Sequence, residues 1–236
     1  MRYKQWIFIG VLIVFLLTCG RIDLLAADTG FSTTKASSEE ATFPQNVELS
    51  LLESEPSKRT IDCFDVNGEG MVAVGCSKYE SRTVCVYTSE GHFQYGYSFK
   101  SFGAFEVELN KDILNIYFVR EHIAIVVNPL GEVLEVFEIP RTRENEAYWN
   151  YLYYSTHRKT ADAEYTMKND RKFLQFFATS YSQITVKYAD GQESILYDVT
   201  AAQMAKVIGN VILFMAVFLL VVIVIVRYSI KLKQRP

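Results

Sequence analysis

The 236 residues are 50% apolar, 14% aromatic and 22% charged, which excludes a disordered chain and, at this length, a large multidomain enzyme. Their 24 Lys and Arg against 27 Asp and Glu leave a formal net charge of −3, which conceals a chain whose ends are basic and whose middle is acidic. An acidic middle repels phosphate backbones, so no nucleic acid is expected as a partner.

In chain order, residues 1–27 carry Arg2 and Lys4, an apolar run from Trp6 to Leu17, then Arg21 and Asp23 before Ala26 and Ala27. This is the layout of a signal peptide, or of an N-terminal signal anchor if it is not cut. The apolar run is short of the ~20 residues that a spanning helix needs. Residues 28–59 are rich in Ser, Thr and Glu and read as a flexible stalk, with an apolar patch from Val47 to Leu52 as one strand.

Residues 60–200 read as an exposed domain. Cys63, Cys76 and Cys85 lie in it, an odd number that cannot all pair within one chain. No CxxC pattern occurs, so neither a redox motif nor a zinc site is expected, and no cofactor or metal is assigned. Asp65-Val66-Asn67-Gly68-Glu69-Gly70 opens like an EF-hand loop, but Cys76 stands where the bidentate Glu belongs. The segment reads as a hairpin turn.

With Gly91, Gly131 and Gly191 in register, Val86, Val126 and Val186 stand five residues earlier. Tyr97, Phe137 and Tyr197 stand six residues later. The same offset aligns Phe105 to Glu108 with Tyr165 to Lys168, and Ile113 to Tyr117 with Phe173 to Phe177. Each unit holds four short β-prone runs separated by turn residues, which predicts antiparallel hairpins. In one run Phe93, Tyr95, Tyr97 and Phe99 alternate with Gln94, Gly96 and Ser98, as in a strand with one buried face. A repeated four-stranded unit of this kind resembles a β-propeller blade, over residues 63–99, 104–139 and 164–199. The resemblance implies an all-β domain of antiparallel four-stranded blades. Propellers usually close with four blades or more; three imply either a second copy supplying the rest or an open stack.

Between the second and third units, residues 140–163 form an insertion bearing Tyr148, Trp149, Tyr151, Tyr153 and Tyr154. These five are the candidate binding residues, since insertions between repeats carry binding faces and aromatic rings stack on ligands. No catalytic residue is assigned: GxSxG, HExxH and phosphate-loop motifs are missing, and His92, His122 and His157 are scattered. Glu106 and Glu108 share one strand face and are expected to be solvated.

From Val207 to Val226 only Gly209 and Asn210 depart from strong apolarity, and at 1.5 Å per residue this run spans ~30 Å as a transmembrane helix. Ala201 to Lys206 are expected to extend it outward. Arg227, Lys231, Lys233 and Arg235 make residues 227–236 a basic tail, cytoplasmic by the positive-inside bias, so the main domain faces outward. With no Asn-x-Ser/Thr acceptor, a bacterial surface protein is expected. The leading functional reading is a membrane-anchored extracytoplasmic binding module, an accessory subunit of a membrane or cell-envelope complex, with a protein partner or a second copy of itself. The alternative is a small extracytoplasmic hydrolase or glycan-processing enzyme on the same scaffold. A signal receptor is disfavoured by the short tail.

Overall fold

The computed structural model describes residues 29–38, 40–170 and 180–233, with side chains of the last helix described as far as residue 225. The N-terminal segment expected as a signal peptide or anchor and the run Phe173 to Phe177 lie outside the described residues.

Three antiparallel sheets make the domain. The first contains β3 (Ile61–Val66), β4 (Val72–Lys78), β5 (Ser81–Tyr87) and β6 (Phe93–Lys100). The second contains β7 (Phe105–Asn110), β8 (Ile113–Phe118), β9 (Ile123–Val127) and β10 (Val133–Glu138). Helix α2 (Arg143–Tyr154) leads into the third, which contains β11 (His157–Lys159), β12 (Ala163–Lys168), β13 (Gln183–Tyr188) and β14 (Glu193–Asp198). The three sheets do not close into a ring.

They stack instead. Val84, Val86, Tyr97 and Phe99 of the first sheet pack against Val107, Leu114, Ile116 and Ile125 of the second. From its opposite face, Phe64, Val74 and Tyr87 pack against Tyr165, Met167, Ile184 and Val186 of the third. The first sheet is thus buried on both sides, which explains why Val72 to Cys76 form an unbroken buried run. The outer face of the third sheet is polar, with Glu164 paired to Lys187 and Thr166 to Thr185. The outer face of the second is covered by α2, where Tyr117, Ala124, Ile139 and Leu152 are buried.

Gly91, Gly131 and Gly191 share one turn geometry, at φ of 82°, 90° and 87°. Each sits between the third and fourth strands of its sheet and donates its N–H to the carbonyl three residues back, at 2.9, 3.1 and 2.9 Å. Only glycine enters that left-handed region without steric cost.

Two features differ from the sequence reading. First, β12 pairs directly with β13, so it occupies the place that β8 holds in the second sheet rather than that of β7. The outer place is taken by β11, from the expected insertion. Second, residues 29–52, expected as a stalk, lie on the domain. β1 (Thr34–Lys35) extends the second sheet beside β10, a single turn α1 (Phe43–Asn46) follows, and β2 (Ser50–Leu51) extends the first sheet beside β6. Phe31 and Val47 are buried. Large apolar side chains inside a polar segment outweigh its composition.

Cys63, Cys76 and Cys85 are free, buried thiols. Helix α3 (Thr200–Lys233) follows β14 directly. Its first turn is docked: Gln203 is buried and donates Nε2–H to the Ser180 carbonyl at 2.9 Å, and Val207 is buried. From Ile208 to Ile225 the large apolar side chains are exposed. This stretch is long and apolar enough to cross a membrane.

Candidate functional site

The segment between β10 and β12 organises the surface richest in chemistry. Helix α2 starts where Thr142 Oγ1 accepts from the Asn145 N–H at 3.2 Å, with Glu144 and Glu146 in the first turn. Asn145, itself buried, accepts from Ser32 N–H at 2.9 Å and donates to the carbonyls of Ser32 (2.9 Å) and Pro140 (2.7 Å). Phe31 then packs edge-on against Tyr117 (4.9 Å between centroids) and Tyr148 (4.7 Å), and against Trp149 (4.5 Å).

Beneath the helix, polar groups from three sheets converge. The phenols of Tyr117 and Tyr148 both donate to Glu108 of β7. Arg158 of β11 donates Nε–H to Asp65 Oδ1 of β3 at 2.8 Å, and the other Asp65 oxygen accepts from Leu109 N–H at 2.8 Å. Both members of that ion pair are nearly enclosed, with side chains 9% and 15% exposed. Arg158 also lies over the Phe64 ring at 5.4 Å. Glu106 of β7 is buried, and burial pushes its carboxyl up to about 8, against the pull of Arg158 and with the help of Asp62 and Asp65. Burial raises Glu108 and Asp65 as well, partly offset by the tyrosine bonds to the one and by the Leu109 N–H and Arg158 on the other. A carboxyl raised to about 8 leaves Glu106 largely protonated at neutral pH.

The pair Glu106 and Glu108, expected on a solvated face, is therefore turned into the junction of the three sheets. Each described oxygen of Asp65 and Glu108 that is bonded is bonded within the protein, and the arrangement fastens α2 and β11 to β3 and β7. Among the described residues no group of three His, Cys, Asp or Glu side chains is placed to hold a metal.

The five candidate aromatics divide. Tyr148 and Trp149 are half-buried on the Phe31 cluster and serve the core. Tyr151, Tyr153 and Tyr154 are 57%, 58% and 74% exposed and form the outward face of α2. Tyr151 stacks on Tyr148 at 5.8 Å and Tyr153 meets Tyr154 edge-on at 5.0 Å. His157 is exposed beside Thr166 Oγ1 at 3.1 Å, and His122 accepts from Arg141 Nε–H at 2.9 Å. The EF-hand-like segment is a turn: Asn67 Oδ1 accepts from Glu69 N–H (3.0 Å) and Met71 N–H (2.9 Å), and Nδ2–H donates to the Lys111 carbonyl. A groove of about 840 Å³ runs between Leu49 and Leu51 on one side and Val133, Val136 and Phe137 of β10 on the other.

Sequence reasoning did not single out Phe31 or Arg158, read Asp65 as part of a hairpin turn and placed Glu106 and Glu108 in solvent. The one available signal was Thr142 followed by Asn145 and two early glutamates, which marks a helix start. No family model matches the chain, and no curated protein matches it significantly.

Proposed function

We propose that this chain is a membrane-anchored, extracytoplasmic binding module. The observation that carries the reading is α3, whose apolar side chains from Ile208 to Ile225 have no cover in the protein. In water such a face costs ~25 cal/mol per Å² exposed, whereas in a bilayer it is solvated by hydrocarbon. The basic residues that follow favour a cytoplasmic tail and an outward domain. The outward tyrosines Tyr151 and Tyr153 supply a contact surface of a kind suited to binding, since a Tyr side chain offers a large amphipathic area with few rotatable bonds. Support for self-association is weaker: the outer faces of the stack are polar or covered by α2, so no apolar sheet face calls for a second copy among the described residues.

The test is alkaline carbonate extraction of membranes from cells expressing the full chain. The full chain stays in the pellet, and a chain ending before Thr200 is released. Release of the full chain would refute the anchor.

A further inference from the structure

The strand registers place each described turn between neighbouring strands at one of two ends of the domain. Asp198 pairs with Gln183 and Gln183 with Lys168, so α3 leaves the third sheet at the end where β12 finishes and β13 begins. Ile61 and Tyr181 exchange backbone hydrogen bonds of 2.9 Å in both directions, which sets the start of β3 at that same end. The β4–β5 turn at Tyr79 and Glu80, the β6–β7 link at Ser101 to Ala104, and the β8–β9 turn at Val119 to His122 therefore all lie at the anchor end. The first two are tied together: Ser101 N–H donates to the Glu80 carbonyl at 3.0 Å, and Arg82 donates to the carbonyls of Tyr79 and Gly103. Tyr154 joins them, because Thr156, two residues on, accepts from Met167 N–H at 2.9 Å beside the end of β12.

The two ends differ in chemistry. Each of the six hairpin turns at the far end carries one acidic residue: Glu69, Glu90, Asp112, Glu132, Asp162 and Asp190. Lys111 is the one Lys or Arg among them. At the anchor end Glu80, Glu121 and Asp170 are balanced by Arg120, Arg141 and Lys206. The three most exposed aromatic side chains among the described residues are Tyr79 (90%), Phe102 (75%) and Tyr154 (74%), and all three are at the anchor end. The heights also agree. Tyr181 lies two residues past Gln183, level with Thr200, and so is Ile61, whose partner in β4 is Cys76. Three strand residues from Cys76 to Tyr79 rise ~10 Å; seven helical residues from Thr200 to Val207 also rise ~10 Å. Tyr79 thus stands level with the first residue of the apolar span.

We propose that the anchor end of the domain rests on the lipid surface of the membrane that α3 crosses, with Tyr79, Phe102 and Tyr154 in the headgroup layer and the six acidic turns facing away. The inference rests on the anchor proposed above. Aromatic side chains at the level where a span begins belong to the interfacial belt. The domain's acidity, which as a total argues against a lipid surface, is sorted to the opposite end.

The test uses the full chain reconstituted in phosphatidylcholine and phosphatidylglycerol vesicles with and without brominated acyl chains. Phe102→Trp, Tyr79→Trp and, at the far end, Leu130→Trp are compared with the parent chain by difference emission; Leu130 is 79% exposed and serves as the control. All chains should float with the vesicles. Brominated lipid should quench the emission added at positions 102 and 79, which should also be blue-shifted, and should leave position 130 unchanged. Flotation without quenching at 79 and 102 overturns the resting face while sparing the anchor, and assigns those rings to water or to a protein partner. Equal quenching at 130 overturns it too. Failure to float overturns the anchor itself and the inference with it.

Discussion

Glu106→Gln should stabilise the protein, and increasingly so as pH rises. Glu106 is 4% exposed and its carboxyl is pushed up to about 8, from about 4.5 for a glutamate in an open chain. A carboxyl raised in the folded state binds its proton more tightly there than in the unfolded chain. It therefore costs no stability below the unfolded value, and stability is lost as pH climbs from that value through the folded one. At 1.36 kcal/mol per unit, holding Glu106 in place costs about 3 kcal/mol at pH 7 and about 5 kcal/mol at pH 9. Gln has the same shape and no charge to desolvate, so most of that penalty should disappear. The assay is urea denaturation of the full chain in detergent, parent and variant side by side from pH 4 to pH 9. The gap between them should be near zero at pH 4 and widen steadily to pH 9. A pH-independent gap, or a variant less stable than the parent at pH 9, would refute the assignment of a buried, proton-holding Glu106.

Arg158→Met should destabilise by about 3–5 kcal/mol, because it strands Asp65 in a nearly enclosed site; a thermal midpoint lower by roughly 10 °C is expected at this chain size. A change near zero would mean that the pair is solvated. Phe31→Ala should cost about 3–5 kcal/mol by removing the ring that Tyr117, Tyr148 and Trp149 enclose; a true stalk would give no effect in the same melt. The three thiols should resist a maleimide in the native protein and all react in denaturant, since Cys63 is enclosed and burial pushes Cys76 and Cys85 up to about 12. Mass spectrometry counts the adducts, and rapid native labelling would contradict the packing of the first sheet.

Much of the fold was legible because its signals are local. Glycines at the hairpins, the alternation of Phe93 to Phe99 and the uninterrupted apolarity after Lys206 each act within a few residues. What was not legible depends on contacts made at long range. Phe105 to Asn110 reads as a strand with its glutamates in water, but its polar face meets Arg158 and Tyr148, forty or more residues away, and becomes interior. Phe31 sits in a polar segment and is drawn in by Asn145, 113 residues from its neighbour Ser32. His157 to Lys159 has no strand-like composition and is a strand only because β12 offers it an edge. Of the candidate aromatics, helical spacing turns Tyr148 and Trp149 inward with Asn145 and Leu152, and Tyr153 and Tyr154 outward.

The most direct test of the account is the topology of the intact chain in its membrane. With an epitope fused after Pro236, protease added to the outside of intact cells stripped of their wall should destroy the domain and leave the epitope on a small, membrane-bound fragment containing α3. Loss of the epitope, or an intact domain that is digested only after the membrane is opened, would contradict an anchored domain facing outward.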